Sequence, residues 1–499
     1  MSENKKKRIL VVGAGPGGLT AAMILANRGF EVEVFEKQEQ VGGRNANLQL
    51  GDFNFDLGPT FLMLKDLLDQ VFEKAGAKSD DVLDFRRLEP MYRLQFDDRR
   101  MEPTTDREAM KREIANAFPG KEDCLDGFLA REKVRFEHLS PCLQRPYSSI
   151  TSLFAPPLLK AIPHLALSKT LYELLNDYFG DPKLTLSFTF QSKYLGMSPW
   201  ECPGVFGMLS YIEHEFGIYH VQGGLCQISN KMAETAESNG AKIHLNSPVK
   251  QLILDGKKTT GVELENGEKI SGDEVVINAD FGYAATNLFP EGTLRKYAPR
   301  KLEKKRFSCS TFMLYLGLDK LYDMPHHTII FAEDYKKNVD EVFQSKQLSQ
   351  DISFYVRNAS VTDPSLAPEG KSAVYVLVPV PNRRGDIDWE QETGAFREHV
   401  LDMIESRTEM NDIRKHIEQE RVITPVDWQE NHDVYIGATF NLAHNISQMI
   451  YLRPHNKFEE VDHCYLVGGG THPGSGLPTI YESGRIAADM IAKAHGVAF

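Results

Sequence analysis

Ile9-Leu-Val-Val12 is a short uninterrupted apolar run that stops at Gly13, the pattern of a parallel strand buried on both faces. Residues 19–27 then have the composition of a helix, with Gly29 placed to cap it, and residues 31–35 alternate into a second strand that ends at Glu36. Strand, glycine loop, helix and strand make one βαβ unit. Over residues 67–217 the apolar positions do not alternate cleanly, and the stretch reads as mostly helical, punctuated at Pro119-Gly120, Pro156-Pro157, Pro199 and Pro203-Gly204. After Gly223-Gly224 a helix to about residue 237 leads into strand-like runs at 241–245, 249–254, 261–264 and 274–278, with turns at Asp255-Gly256 and Asn266-Gly267. Residues 300–455 mix strand runs at 311–316 and 373–380 with a helical stretch at 389–407. Tyr465-Leu-Val-Gly468 is another buried strand ending in glycine, and a last helix follows over 480–494.

These patterns predict an α/β fold whose Rossmann-type dinucleotide-binding domain is discontinuous, built from residues 1–90, 220–299 and 456–499. A helical substrate region is expected over 91–219, and a mixed α+β substrate domain over 300–455.

With 499 residues the chain exceeds what one core usually organises, and 41 % apolar with 25 % charged residues is ordinary globular usage. A net charge of −13 argues against gripping phosphate backbones, so no nucleic-acid partner is expected. Cys124, Cys142, Cys202, Cys226, Cys309 and Cys464 are scattered, without C-x-x-C pairs or metal-like spacing to His; they read as reduced thiols in a reducing compartment, and no metal is expected. Lys5-Lys6-Lys7-Arg8 before an apolar run has the look of an export signal, but Gly13, Gly15, Gly17 and Gly18 interrupt that run. No stretch approaches the ~20 apolar residues of a spanning helix. The expected location is cytoplasmic, with membrane contact only peripheral; oligomeric state is not legible.

Gly13, Gly15 and Gly18 directly follow a buried strand and open a helix, where small residues let backbone N–H groups approach a pyrophosphate. Glu36, at the end of the second strand, stands where a carboxylate accepts hydrogen bonds from ribose hydroxyls. Gly42-Gly43-Arg44 adds a second flexible backbone stretch and a guanidinium suited to phosphate, and Asp56-Leu-Gly58-Pro59-Thr60 follows as a tight turn.

The run from the glycine loop through Glu36 to Gly42-Gly43-Arg44 resembles the extended FAD motif of the amine-oxidase-like flavoprotein superfamily. The stretch Tyr465-Leu-Val-Gly-Gly-Gly470-Thr-His-Pro-Gly474-Ser-Gly-Leu-Pro478-Thr-Ile480 is similar to the C-terminal flavin motif of bacterial carotenoid desaturases of the phytoene and 4,4'-diapophytoene type. Asp56-Leu-Gly-Pro59-Thr60 and Phe216-Gly-Ile-Tyr219 resemble the same family, which spans essentially the whole chain. The resemblance implies FAD as cofactor, held by Gly13, Ala14, Gly15, Pro16, Gly17, Gly18, Glu36, Lys37, Gly43, Arg44, Pro59, Thr60, Gly470, Pro478, Thr479 and Ile480, with Val249 at the strand that contacts the adenine. It implies desaturation of a long polyisoprenoid lipid, the flavin carrying the redox chemistry while the protein supplies an apolar, dry tunnel.

An oxygenase of carotenoid end groups or a carotenoid or retinoid saturase shares much of the pattern, and a prenyl-lipid carrier without flavin is the alternative outside enzymes. No catalytic residue is assigned. Lys160 lies in a segment loosely similar to one placed near the flavin in relatives, but reads better as a solvated or headgroup lysine. His472 lies inside the flavin motif, where shaping the backbone competes with proton transfer. Residues 150–178, rich in Leu and aromatic residues, read equally as core or as amphipathic helices dipping into a bilayer surface, and the membrane-resident substrate tilts the reading to the second.

Overall fold

The computed structural model describes residues 6–497; Lys5 of the basic run before the first strand lies outside them. Two sheets organise the chain. The first is parallel and five-stranded, in the order Cys464–Leu466, Glu274–Ile277, Arg8–Val12, Glu31–Phe35 and Lys242–His244. Alternation along Arg8–Val12 explains why both faces are apolar. Ile9 and Val11 pack with the helices Pro16–Asn27, Cys226–Ser238 and Leu477–Ala494, whereas Leu10 and Val12 pack with the antiparallel strands Val249–Asp255, Lys258–Leu264 and Lys269–Ser271. Strands of the first sheet therefore come from all three sequence regions expected to share a domain.

The second sheet has seven strands, in the order Ile417–Ile423, Ser310–Leu318, Ser372–Val380, Phe354–Asn358, His327–Ile330, Arg93–Gln95 and Arg100–Met101. Pairing is antiparallel except between His327–Ile330 and Arg93–Gln95. Phe312, Leu314 and Leu316 face the helix Trp389–Arg407, and Met313 and Tyr315 face Phe53 and Phe55, so Ser310–Leu318 is buried on both sides and reads as one apolar run.

The stretch 67–217 is less purely helical than its pattern suggests. Arg93–Gln95 and Arg100–Met101 join the edge of the seven-stranded sheet, and Phe85–Arg87 pairs with Tyr219–Val221. These strands are too short for a period-two pattern to register, and sheet partners far along the chain create them. The rest of the stretch forms a helical layer around Phe128, Phe179, Phe188 and Leu175.

Candidate active site

Gly15 ends the loop after the first strand, and Pro16 takes the first position of the helix Pro16–Asn27, where its missing N–H costs nothing. That helix start has no side-chain cap and no acidic residue in its first turn, so its positive end is left for an anion. Asn278, at the end of Glu274–Ile277, fills the space a side chain on the loop would need. A Cβ on Gly15 would lie 2.7 Å from its Nδ2, and one on Gly17 would lie 2.8 Å from its Oδ1 and 2.9 Å from Gly468 N. On the far side Gly43 faces Gly15, a Cβ there standing 3.5 Å from Gly15 Cα. The two glycine stretches thus form one cradle, and it fits a dinucleotide.

Glu36 is buried and accepts hydrogen bonds from Ala14 N (2.7 Å) and Gln38 N (2.9 Å), which fixes its carboxylate beside the loop with lone pairs left for ribose hydroxyls. Glu36→Ala is expected to weaken FAD retention roughly ten- to a hundredfold, the range for a charge-assisted hydrogen bond. Flavin occupancy after dialysis checks this, and undiminished occupancy in a folded variant contradicts the ribose assignment.

Arg44 Nη1 donates to Thr439 O at 2.6 Å, and its Nη2 lies 3.7 Å from the buried Asp280 carboxylate, whose pKa is raised by that burial. Lys37 instead directs its ammonium to Asp433, 2.6 Å away, so its side chain is engaged outside the cradle. Val249 is buried at the start of the antiparallel meander against Val12 and Phe35. In the C-terminal motif Pro478 and Ile480 line the main cavity, while Thr479 turns its hydroxyl back to Ser475 O (2.8 Å). Gly470 lies against Phe281, and Gly469 lines the cavity in its place.

That cavity, about 1560 Å³ with its open mouth included, is bounded on one side by Arg44, Pro59, Thr60, Gly469 and residues 475–480, and on the other by Thr311, Met313, Tyr355, Tyr375 and Leu377 of the second sheet. Phe190, Lys193, Tyr92 and Ile329 also line it. Most of this wall is apolar, as a hydrocarbon requires. In its wall the Tyr355 hydroxyl bonds Thr60 Oγ1 (2.9 Å) and His327 Nδ1 (2.6 Å), and burial beside Arg357 and His220 keeps His327 neutral. Neither Lys160 nor His472 lines the cavity. Lys160 is exposed, and the His472 ring stands edge-on to Tyr147, its pKa pushed down to about 3 by burial.

A buried polar clamp ties the seven-stranded sheet to the turn before Pro59. Arg357 Nη1 lies 2.9 Å from Asp56 Oδ2, with both side chains almost fully buried. Asp56 Oδ1 also accepts from Cys226 N at 3.0 Å, which ties the turn before Pro59 to the start of the helix Cys226–Ser238. Arg357 reaches His220 and His326 at 3.3 Å each, and His220 Nε2 lies 2.9 Å from Asp363 Oδ2.

Residues 16–492 match the family of flavin-containing amine oxidoreductases. The chain belongs to that family. Within it, the chain is 53 % identical over 493 residues to a 4,4'-diapophytoene desaturase (4,4'-diapolycopene-forming) of Methylomonas sp, covering 99 % of this chain and 96 % of the relative. It is 37 % identical to an all-trans-zeta-carotene desaturase of Myxococcus xanthus, covering 98 % and 94 %. An oxidoreductase structure from Methanosarcina mazei superposes with a TM-score of 0.62 at 17 % identity, covering 97 % of this chain and 100 % of that one, and shares the fold. This flavoprotein is therefore an FAD-dependent oxidoreductase of the carotenoid desaturase branch.

Several residues of the site escape sequence reasoning. Asn278 follows a strand with nothing to mark it, although its place directly after a buried parallel strand was the available signal. Lys193, His327 and Tyr355 sit in segments whose patterns announce only helix or strand.

Proposed function

We propose that this protein introduces double bonds into a carotenoid precursor of the diapophytoene type, with phytoene as the longer alternative. The observation that carries the reading is the apolar cavity lying directly against the flavin-motif residues, with no charged group placed to recognise a polar substrate except Arg44 and Lys193. The 53 % identity to a diapophytoene desaturase supports the substrate class. FAD, when bound, supplies the two-electron acceptor. The cavity wall excludes water and aligns an extended chain beside the flavin-motif residues, and the hydrogen bonds among Thr60, Tyr355 and His327 hold these polar side chains in the wall. FAD-loaded protein given diapophytoene and 15-cis-phytoene without reductant is expected to produce longer-conjugated products, greatest with diapophytoene. Absence of new conjugation on both substrates overturns the reading, and incorporation of labelled molecular oxygen identifies an end-group oxygenase instead.

The substrate resides in membranes, and one surface suits a bilayer. Ile150, Phe154, Leu159 and Ile162 are exposed on adjoining short helices and Leu167 on the turn that follows, Phe154 at 70 %, and the turn Ile450–Leu452, with exposed Leu452, packs beside Ile150–Phe154. Lys160 stands among them where a headgroup phosphate would be. No helix among the described residues is long and apolar enough to cross a membrane. Burying a large apolar side chain contributes about 1.5–3 kcal/mol. Phe154→Glu with Ile162→Glu is therefore expected to reduce cosedimentation with anionic vesicles at least tenfold, and unchanged cosedimentation contradicts docking through this face.

A further inference from the structure

We propose that the Lys193 amine is the base that takes the substrate proton during desaturation, an inference that rests on the activity proposed above. Lys193 lies on the short turn Phe190–Leu195 and lines the cavity with Phe190. Among the described residues its ammonium has no carboxylate partner; its one close contact is the ring of Tyr335, 4.9 Å from Nζ. Lysines in apolar surroundings without a counter-charge are rare because the charged form is costly there. Burial accordingly lowers its pKa to about 7, so a large fraction carries a free lone pair at neutral pH.

The groups facing it do not compete. Tyr335, on the helix Tyr335–Asp340, and Cys309, before Ser310–Leu318, are both pushed up by burial, Cys309 to about 12, and stay neutral. Glu213 accepts from Tyr92 (2.9 Å) and Gln191 (2.7 Å). His444, beyond Met197, is held well below its ordinary range by burial. Within the cavity His327 has one nitrogen bonded to Tyr355 and its basicity suppressed by burial.

The step balances. One C–H bond breaks with its electron pair, and FAD, when bound, would supply the two-electron acceptor for that hydride. The neighbouring C–H bond breaks the other way: its proton passes to the Nζ lone pair and its electrons become the new π bond. The ammonium so formed faces the Tyr335 ring, whose π face favours a cation.

The test uses FAD-loaded full-length protein in anaerobic single-turnover flavin reduction with diapophytoene. The wild-type rate is expected to rise about tenfold per pH unit below about pH 6.5 and to level off above about pH 7.5. Lys193→Met is expected to be about 10²–10⁴-fold slower with no such rise, while flavin content and substrate-induced fluorescence quenching are retained. Lys193→Arg, a charge without a lone pair near neutrality, is expected to be as slow. A Met or Arg variant that keeps the wild-type rate overturns the proposal, and so does a wild-type profile flat from about pH 6 to about pH 9, a measurement that needs no variant. Wild-type protein that reduces its flavin with neither carotenoid precursor overturns the proposed function itself.

Discussion

Arg357→Met is expected to destabilise the protein by about 3–5 kcal/mol, because it leaves the Asp56 carboxylate buried without its counter-charge. The pair is 2.9 Å apart and almost wholly removed from water, so the usual discount for an exposed ion pair does not apply. Arg357 also reaches His220 and His326, whose ring nitrogens lose a donor with it. Asp56→Leu combined with Arg357→Met removes both charges and is expected to recover most of the loss, which a urea-denaturation cycle over the four proteins reads directly. Additive losses in the double variant contradict a direct coupling between the two.

Gly17→Ala is expected to leave less than about a tenth of the flavin bound. The φ of Gly17 is ordinary, so strain is not the reason; its Cβ would stand 2.8 Å from Asn278 Oδ1 and 2.9 Å from the backbone nitrogen of Gly468. Asn278 can rotate away. Gly468 cannot, because its N–H is bonded to Ser483 Oγ at 2.8 Å and it ends the C-terminal strand region. The methyl therefore separates the helix start from the C-terminal motif that lies against it. Flavin absorbance per mole of purified protein checks the prediction, and full occupancy contradicts it.

The cradle was legible in the sequence because its parts are local. A buried apolar strand, glycines at fixed offsets, a helix and an acidic residue at the next strand end all lie within one βαβ unit, and both cradle loops fall where the pattern puts them. The helix at 389–407 was legible for a similar reason: its capping Asp388 and its length make a strong local signal. The cavity was not. His327 and Tyr355 meet through pairing of neighbouring strands, and Thr60 reaches Tyr355 from a loop 295 residues away along the chain, so nothing in the neighbourhood of each one names its partners. Lys193 illustrates the point most plainly. In sequence it is one lysine among many, and only the surrounding apolar wall gives its amine unusual chemistry.

The strand order of the parallel sheet also sets a timetable for biogenesis. Cys464–Leu466 pairs with Glu274–Ile277, which in turn pairs with the first strand of the chain, so the sheet closes only when the last segment arrives. A nascent chain still lacking that segment displays Val275 and Val276 on an open edge, together with the apolar surface later covered by Leu477–Ala494. Until residues 464–494 leave the ribosome the helix start and the C-terminal motif cannot meet, so FAD loading waits for them and the exposed edge is a natural client for chaperones.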